Sequence, residues 1–110
     1  MVQRDKEFFI LKAELCKTFS DPKRLMIITE LREGEKHVGE LARTLQISQA
    51  VVSRHLAILH ERGMVTVRQE GVTHFYKLSD DRIGIVCDLM DEILRGKMIR
   101  DRDLANRLMP

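Results

Sequence analysis

Apolar residues recur at helical spacing from the start of the chain. In FFILKAELCKTFS, Phe8, Leu11, Leu15 and Phe19 fall three or four apart, with Phe9 and Cys16 on an adjoining stripe. This predicts a first helix with a wide apolar face. SDPKRLMIITELREG predicts a second, with Ser20 or Asp21 as N-cap, Pro22 in the first turn, Leu25, Ile28 and Leu31 on one face, and Gly34 as the stop. VGELARTL gives a short third helix with Val38, Leu41, Ala42 and Leu45 facing inward. After the break QIS, Ser48 is placed to cap a longer helix, and Ile47 and Val52 sit at the N′ and N4 positions of a hydrophobic staple.

The polar residues of that longer helix are unevenly spread. Val52, Leu56 and Leu59 make its apolar side, while Gln49, Ser53, Arg54 and Ala57 line the opposite flank with small or hydrogen-bonding side chains. A flank that only met solvent would be expected to carry Lys and Glu. Two helices joined by so tight a turn form either a helix-turn-helix or an ordinary helical hairpin, and spacing alone does not choose between them. The next segment does. After Gly63, MVTVRQEGVTHFYKL alternates Val65 and Val67 with polar residues, turns at Glu70 and Gly71, and returns through His74, Tyr76 and Leu78 on one face. A β-hairpin with Arg68, Gln69 and Thr73 near its tip, directly after the second helix, is the winged form of the motif. From Asp80 the chain is helical again, with Ile83, Cys87, Met90 and Leu94 on a stripe widened by Val86 and Ile93, ending near Gly96. The tail mixes charges with Leu104 and Leu108 and is compatible with a short last helix.

Composition sets limits on this reading. With 110 residues, 44% of them hydrophobic, the chain suffices for one domain and hardly for two. No run reaches the roughly 18 to 20 apolar residues of a membrane span, and MVQRDKEFF lacks a signal-peptide core, so a cytoplasmic location away from any membrane is expected. Cys16 and Cys87 are far apart and the four histidines are scattered, without CxxC or HxxxH spacing. The net charge of +2 is small, but its distribution is informative: residues 43–77 hold five basic residues against Glu61 and Glu70. There is no glycine-rich phosphate loop and no nucleophile spaced with a base and an orienting acid, which argues against an enzyme and against any cofactor.

FSDPKRLMIITEL, VGELARTLQISQAVVSRHLAILHERGMV and EGVTHFYKLSD together resemble the ArsR/SmtB repressors, dimeric winged helix-turn-helix proteins, over roughly residues 13 to 95. The resemblance implies a mainly α fold with a β-hairpin wing (α+β), in one domain spanning 1–110. The helix-turn-helix would lie at about 38–61 and the wing at about 64–78. Helices at about 5–19 and 81–95 would build a homodimer. It further implies a double-stranded, pseudo-palindromic DNA operator, with the helix after Ser48 in the major groove. Ser48, Gln49, Ala50, Ser53 and Arg54 would then meet bases and backbone, because Gln pairs bidentately with adenine, Arg with guanine or phosphate, and small residues allow close approach. Arg68, Gln69 and Thr73 would touch phosphates or the minor groove, although charged hairpin tips also protect an edge strand. His55 belongs to packing or to the frame that holds phosphate contacts, and His60 to the surface.

The input signal is less defined. Relatives with a Cys-x-Cys metal pair at the start of the short third helix are matched here by His37 and Gly39. Relatives with zinc ligands on the last long helix are matched by Asp80, Arg82, Ile93 and Gly96. One histidine makes no site and an arginine opposes a cation, so no metal site is expected at either place. Cys16 and Cys87 are the remaining soft ligands. A thiol, reactive-sulfur or redox input through them is favoured over metal, with arsenite or metal binding at the same pair as the alternative. Another class of function, a winged helix used for protein contact, fits less well, since interface cores favour large aromatics over a small polar flank.

Overall fold

The computed structural model describes residues 5–101 and 106–108. Over residues 5–101 the elements follow in the order α1 (Lys6–Thr18), α2 (Pro22–Leu31), β1 (Lys36–His37), α3 (Val38–Leu45), α4 (Gln49–Glu61), β2 (Val65–Glu70), β3 (Thr73–Leu78) and α5 (Asp81–Arg100). The architecture is a winged helix-turn-helix, mainly helical, with one antiparallel sheet.

Each helix starts where a side chain can accept an otherwise unpaired backbone N–H. Asp21, not Ser20, caps α2, accepting from the amides of Lys23 at 2.8 Å and Arg24 at 3.2 Å. Ser48 Oγ accepts from the Val51 amide at 3.2 Å and starts α4. Between α3 and α4 the turn rests on Gln46 in the left-handed conformation, at φ 56°, an uncommon backbone state for a residue other than glycine. Gly63, at φ +74°, turns the chain from α4 into β2, where a side chain would be strained.

The core is built by α2, α3, α4, the start of β2 and one side of α5. Ile27, Ile28, Leu41, Val52, Leu56 and Leu59 are wholly buried, and Phe19, Ile47, Tyr76 and Leu78 pack against them. The alternation expected for the hairpin holds for Val65, Tyr76 and Leu78, but Val67 and His74 are exposed. The sheet has the order β1-β3-β2. The two-residue strand β1, which the sequence reading did not foresee, pairs Lys36 with Tyr76 and His37 with Phe75.

Two expectations for the last helix need correction. It does not end near Gly96 but continues to Arg100, since one glycine costs a helix interior only about 1 kcal/mol and does not stop it. Its apolar stripe is also not one face. Ile83 and Cys87 turn into the core, whereas Val86, Leu89, Met90, Ile93 and Leu94 remain exposed. Gly84 makes the inner approach close: a Cβ there would collide with the Arg32 side chain, which crosses α5 to form an ion pair with Asp88. Helix α1 adds no residue to the apolar core, and Phe9, Leu11 and Leu15 on it are at least half exposed. Leu104 lies outside the described residues; 106–108 are helical, and Leu108 is exposed.

Candidate nucleic-acid interface

Helix α4 has two sides because its length and period give it two. Val52, His55, Leu56 and Leu59 point into the protein, so the residues between them point out. Gln49, Ala50, Ser53, Arg54 and Ala57 are all exposed. Among the described residues, the side chains of Gln49, Ser53 and Arg54 have no hydrogen bond or ion pair. Ser48 differs: its hydroxyl is occupied as the N-cap. At the first turn Gln49 lies beside the start of α3, its amide nitrogen 3.8 Å from where a side chain on Gly39 would begin.

The wing stands next to this flank. A groove of about 300 Å³ separates them, lined by His37, Gly39, Ser53, Thr73, His74 and Tyr76 among others. It brings Thr73 and Ser53, one from each element, to a common space. Arg68 is not free in the same way. Its guanidinium donates to Glu35 through Nε at 3.2 Å and Nη2 at 2.7 Å, donates to Glu70 through Nη1 at 2.6 Å, and stacks 4.7 Å from the centre of the Phe75 ring. These carboxylates raise the Arg68 pKa still further above its ordinary value, and the hydrogen bond from Arg68 in turn lowers that of Glu35. The Gln69 amide folds back to donate to the Gly71 carbonyl at 3.1 Å. At the tip itself, after Gly71, stands Val72, which is 95% exposed.

The sequence reading missed the partners of Arg68. Glu70 was within reach of it, since residues two apart share one face of a strand. Glu35 and Phe75 were not, because only the sheet pairing brings them beside Arg68. Other cations remain nearby: Arg43, Arg54 and Lys77 are exposed and have no ion pair among the described residues, although the charge of Lys77 helps to lower the Glu35 pKa.

Under α4, His55 is 4% exposed. Its Nδ1 lies 3.5 Å from Arg24 Nη1, and its Nε2 lies 3.9 Å from Asp21. Burial pushes the imidazole pKa down; Asp21 opposes that shift, and Arg24, Arg54 and Lys23 reinforce it. Burial thus disfavours the charged ring, which suits a frame residue.

Comparison with known proteins agrees with this geometry. The family model described as "Bacterial regulatory protein, arsR family" matches residues 21–67, from the start of α2 into β2. An uncharacterized HTH-type transcriptional regulator of Methanocaldococcus jannaschii is 42% identical over 82 residues, which cover 74% of this chain and 92% of the relative. The chain belongs to the ArsR family. Its members here are transcriptional regulators and not enzymes. The Arsenical resistance operon repressor of Escherichia coli is 38% identical over 101 residues, 91% of this chain and 86% of that one. The solved structure of HlyU from Vibrio cholerae superposes with a TM-score of 0.72 at 32% identity, covering 81% of this chain and 97% of HlyU. HlyU is described as a transcriptional activator and the Escherichia coli protein as a repressor, so ArsR membership alone does not fix the direction of control.

The positions that match metal ligands in ArsR relatives have other roles here. His37 caps α3 in a reciprocal pair with Glu40: its Nδ1 accepts from the Glu40 amide at 3.3 Å, and its own amide donates to the Glu40 carboxylate at 3.1 Å. Asp80 caps α5, and its carboxylate is gripped by the Arg82 guanidinium, which brings its pKa down to about 2. Ile93 is exposed aliphatic surface. Of the two thiols, Cys16 is exposed and Cys87 is buried at 6% exposure. Burial pushes the Cys87 pKa up, with Asp91 and Asp88 adding to the rise and Arg32 opposing it.

Proposed function

We propose that the protein is a cytoplasmic, homodimeric, sequence-specific repressor. It reads a pseudo-palindromic duplex through the exposed flank of α4, with the wing alongside the neighbouring backbone. The observation that carries this reading is the set of uncommitted side chains at Gln49, Ser53 and Arg54, kept accessible by Ala50 and Ala57. Donors and acceptors one helical turn apart suit base edges, and Arg43, Arg54 and Lys77 supply charge for phosphates. The homodimer rests on the uncovered apolar faces of α1 and α5, where Leu11 is 59% and Ile93 71% exposed. Two such subunits would present their α4 helices to successive major grooves about 34 Å apart.

Selection of duplexes from a random-sequence pool by the purified protein tests this reading. Recovery of a two-fold symmetric motif, bound by a protein that sediments as a dimer, is the expected result. A monomer at micromolar concentration, or no preferred sequence and little salt dependence, would instead favour a winged helix used for protein contact.

For the input signal we propose thiol or reactive-sulfur chemistry that begins at Cys16, the exposed thiol, and reaches Cys87 only if α5 shifts from the core. Arsenite binding at the same two sulfurs is the alternative. The geometric requirement is strict, because a disulfide needs Cα atoms roughly 4.4 to 6.8 Å apart. Oxidant or a sulfur donor should weaken binding of the selected duplex in the wild type and not in Cys16→Ser. If both proteins respond alike, the input lies elsewhere.

A further inference from the structure

The C-terminus of α1 and the middle of α4 are joined by polar struts that the DNA-contact reading does not use. Arg24, in the first turn of α2, spans the gap. Its Nε donates to the Thr18 carbonyl at 2.9 Å, at the end of α1 where carbonyls lack helical partners, and its Nη2 lies 3.4 Å from the Lys17 carbonyl, which already accepts from the Ser20 amide and hydroxyl. The remaining arm, Nη1, lies 3.5 Å from Nδ1 of buried His55 in α4. One planar cation therefore meets the negative end of one helix and a ring on another. A second tie runs parallel to it. Arg62, at the C-terminal end of α4, donates through Nη1 to Thr18 Oγ1 at 3.3 Å, and that hydroxyl donates in turn to the Glu14 carbonyl at 3.3 Å. Thr18 is 1% exposed, so its hydroxyl has little water to turn to.

These bonds add to the little packing this corner has, which comes from Phe19, the C-cap of α1, against the core and from buried Thr18. Helix α1 contributes nothing to the apolar core that positions α4, and its own apolar face is turned outward. The polar ties link the end of this outer helix directly to α4, beside the packing of Phe19 on the core.

We propose that Arg24 is a positioning residue for DNA reading, setting the orientation of α4 relative to α1 through His55, with the Arg62–Thr18 bond as the second strut. The inference rests on the reading that α4 meets bases. It assigns Arg24 no contact with DNA. A guanidinium has only donors, so His55 Nδ1 must accept and its proton must sit on Nε2, facing Asp21 at 3.9 Å.

The test compares wild type, Arg24→Lys and Thr18→Val on a duplex selected by the wild-type protein and on a random duplex of equal length. Lysine keeps the charge and loses the fork, and valine keeps the shape and loses the hydroxyl, so both variants should fold. Arg24→Lys is expected to lose on the order of tenfold on the selected duplex, the scale of one hydrogen bond to a charged group, with no change on the random duplex or in the salt dependence. Thr18→Val should lose less in the same pattern. In the free proteins, imidazole 15N shifts should show His55 as the Nε2–H tautomer in wild type and as a tautomer mixture in Arg24→Lys. Equal losses on both duplexes with a weaker salt dependence would make Arg24 a phosphate contact and overturn the proposal, as would wild-type binding by both variants or an unchanged His55 tautomer. Failure of the wild type to select any sequence would refute the reading of α4 itself, and the 15N shifts would still decide whether the strut exists.

Discussion

The flank of α4 and the wing are neighbours across one groove, yet they differ in what their polar side chains are doing. On α4, Gln49, Ser53 and Arg54 point outward without internal partners. On the wing, Arg68 is held by two carboxylates and an aromatic ring, and Gln69 is bonded to its own turn. A count of charges along the sequence treats Arg54 and Arg68 as equal. The structure separates a cation that is available to a ligand from one already neutralised, and only the first adds to a binding field at full value.

Both surfaces rest on the inner side of α4, so its loss is expected to have the largest effect. Leu56 is wholly buried, and Leu56→Ala should destabilise the fold by about 2 to 5 kcal/mol through lost burial and the cavity left behind. Urea unfolding at fixed protein concentration measures this. A loss below 1 kcal/mol would mean that α4 is not anchored as described.

Outer-side substitutions should give the opposite pattern. Arg54→Ala and Gln49→Ala are expected to leave the unfolding midpoint nearly unchanged while weakening binding to a selected duplex by about 1 to 3 kcal/mol each, the usual scale of one base contact. Titrations against selected and random duplexes check this, and equal losses on the two would show that neither residue reads a base. Ser48 falls between the two patterns. Its hydroxyl caps α4, so Ser48→Ala should cost about 0.5 to 2 kcal/mol of stability, the range for an N-cap, along with any loss of DNA affinity. Thermal unfolding with and without duplex separates the two effects.

How far the sequence could foresee this depends on the range of the interactions. Both sides of α4 were legible, since Val52, Leu56 and Leu59 against Gln49, Ser53 and Arg54 follow from the helical period alone. So was the cap at Ser48, which involves residues three positions apart, and the cap of α2 to within one residue, since Ser20 and Asp21 both fitted and Asp21 takes the role. The division of α5 was not. Its apolar residues cover more than one face, and only tertiary packing decides that Ile83 and Cys87 turn inward while Met90 and Leu94 stay out. The state of Arg68 was least accessible, because Glu35 lies 33 residues away and reaches the wing only through the pairing of β1 with β3. The resemblance to a family carried the fold across these gaps, but it could not tell which basic residues of this chain are already paired.

Arg68→Ala is the smallest of these effects and the most direct test of the contrast. If Arg68 touches phosphate, its loss should reduce the slope of log affinity against log salt by about one and weaken all duplexes alike. With the guanidinium shared between Glu35 and Glu70, the expected change in slope is well under half a unit, because few counterions can be released by a charge that is already balanced. Removing the arginine also uncovers two carboxylates at the wing, which repel DNA, so a modest loss of affinity is expected even without a lost contact. The double variant Glu35→Gln, Glu70→Gln distinguishes the two causes. It releases Arg68 from both partners, and it should raise affinity for random duplex and steepen the salt dependence. Lys77→Ala serves as the control, since Lys77 is exposed and has no ion pair among the described residues. If Lys77→Ala and Arg68→Ala lower the slope equally, the carboxylates yield Arg68 to phosphate on binding, and the wing is as available as the flank of α4.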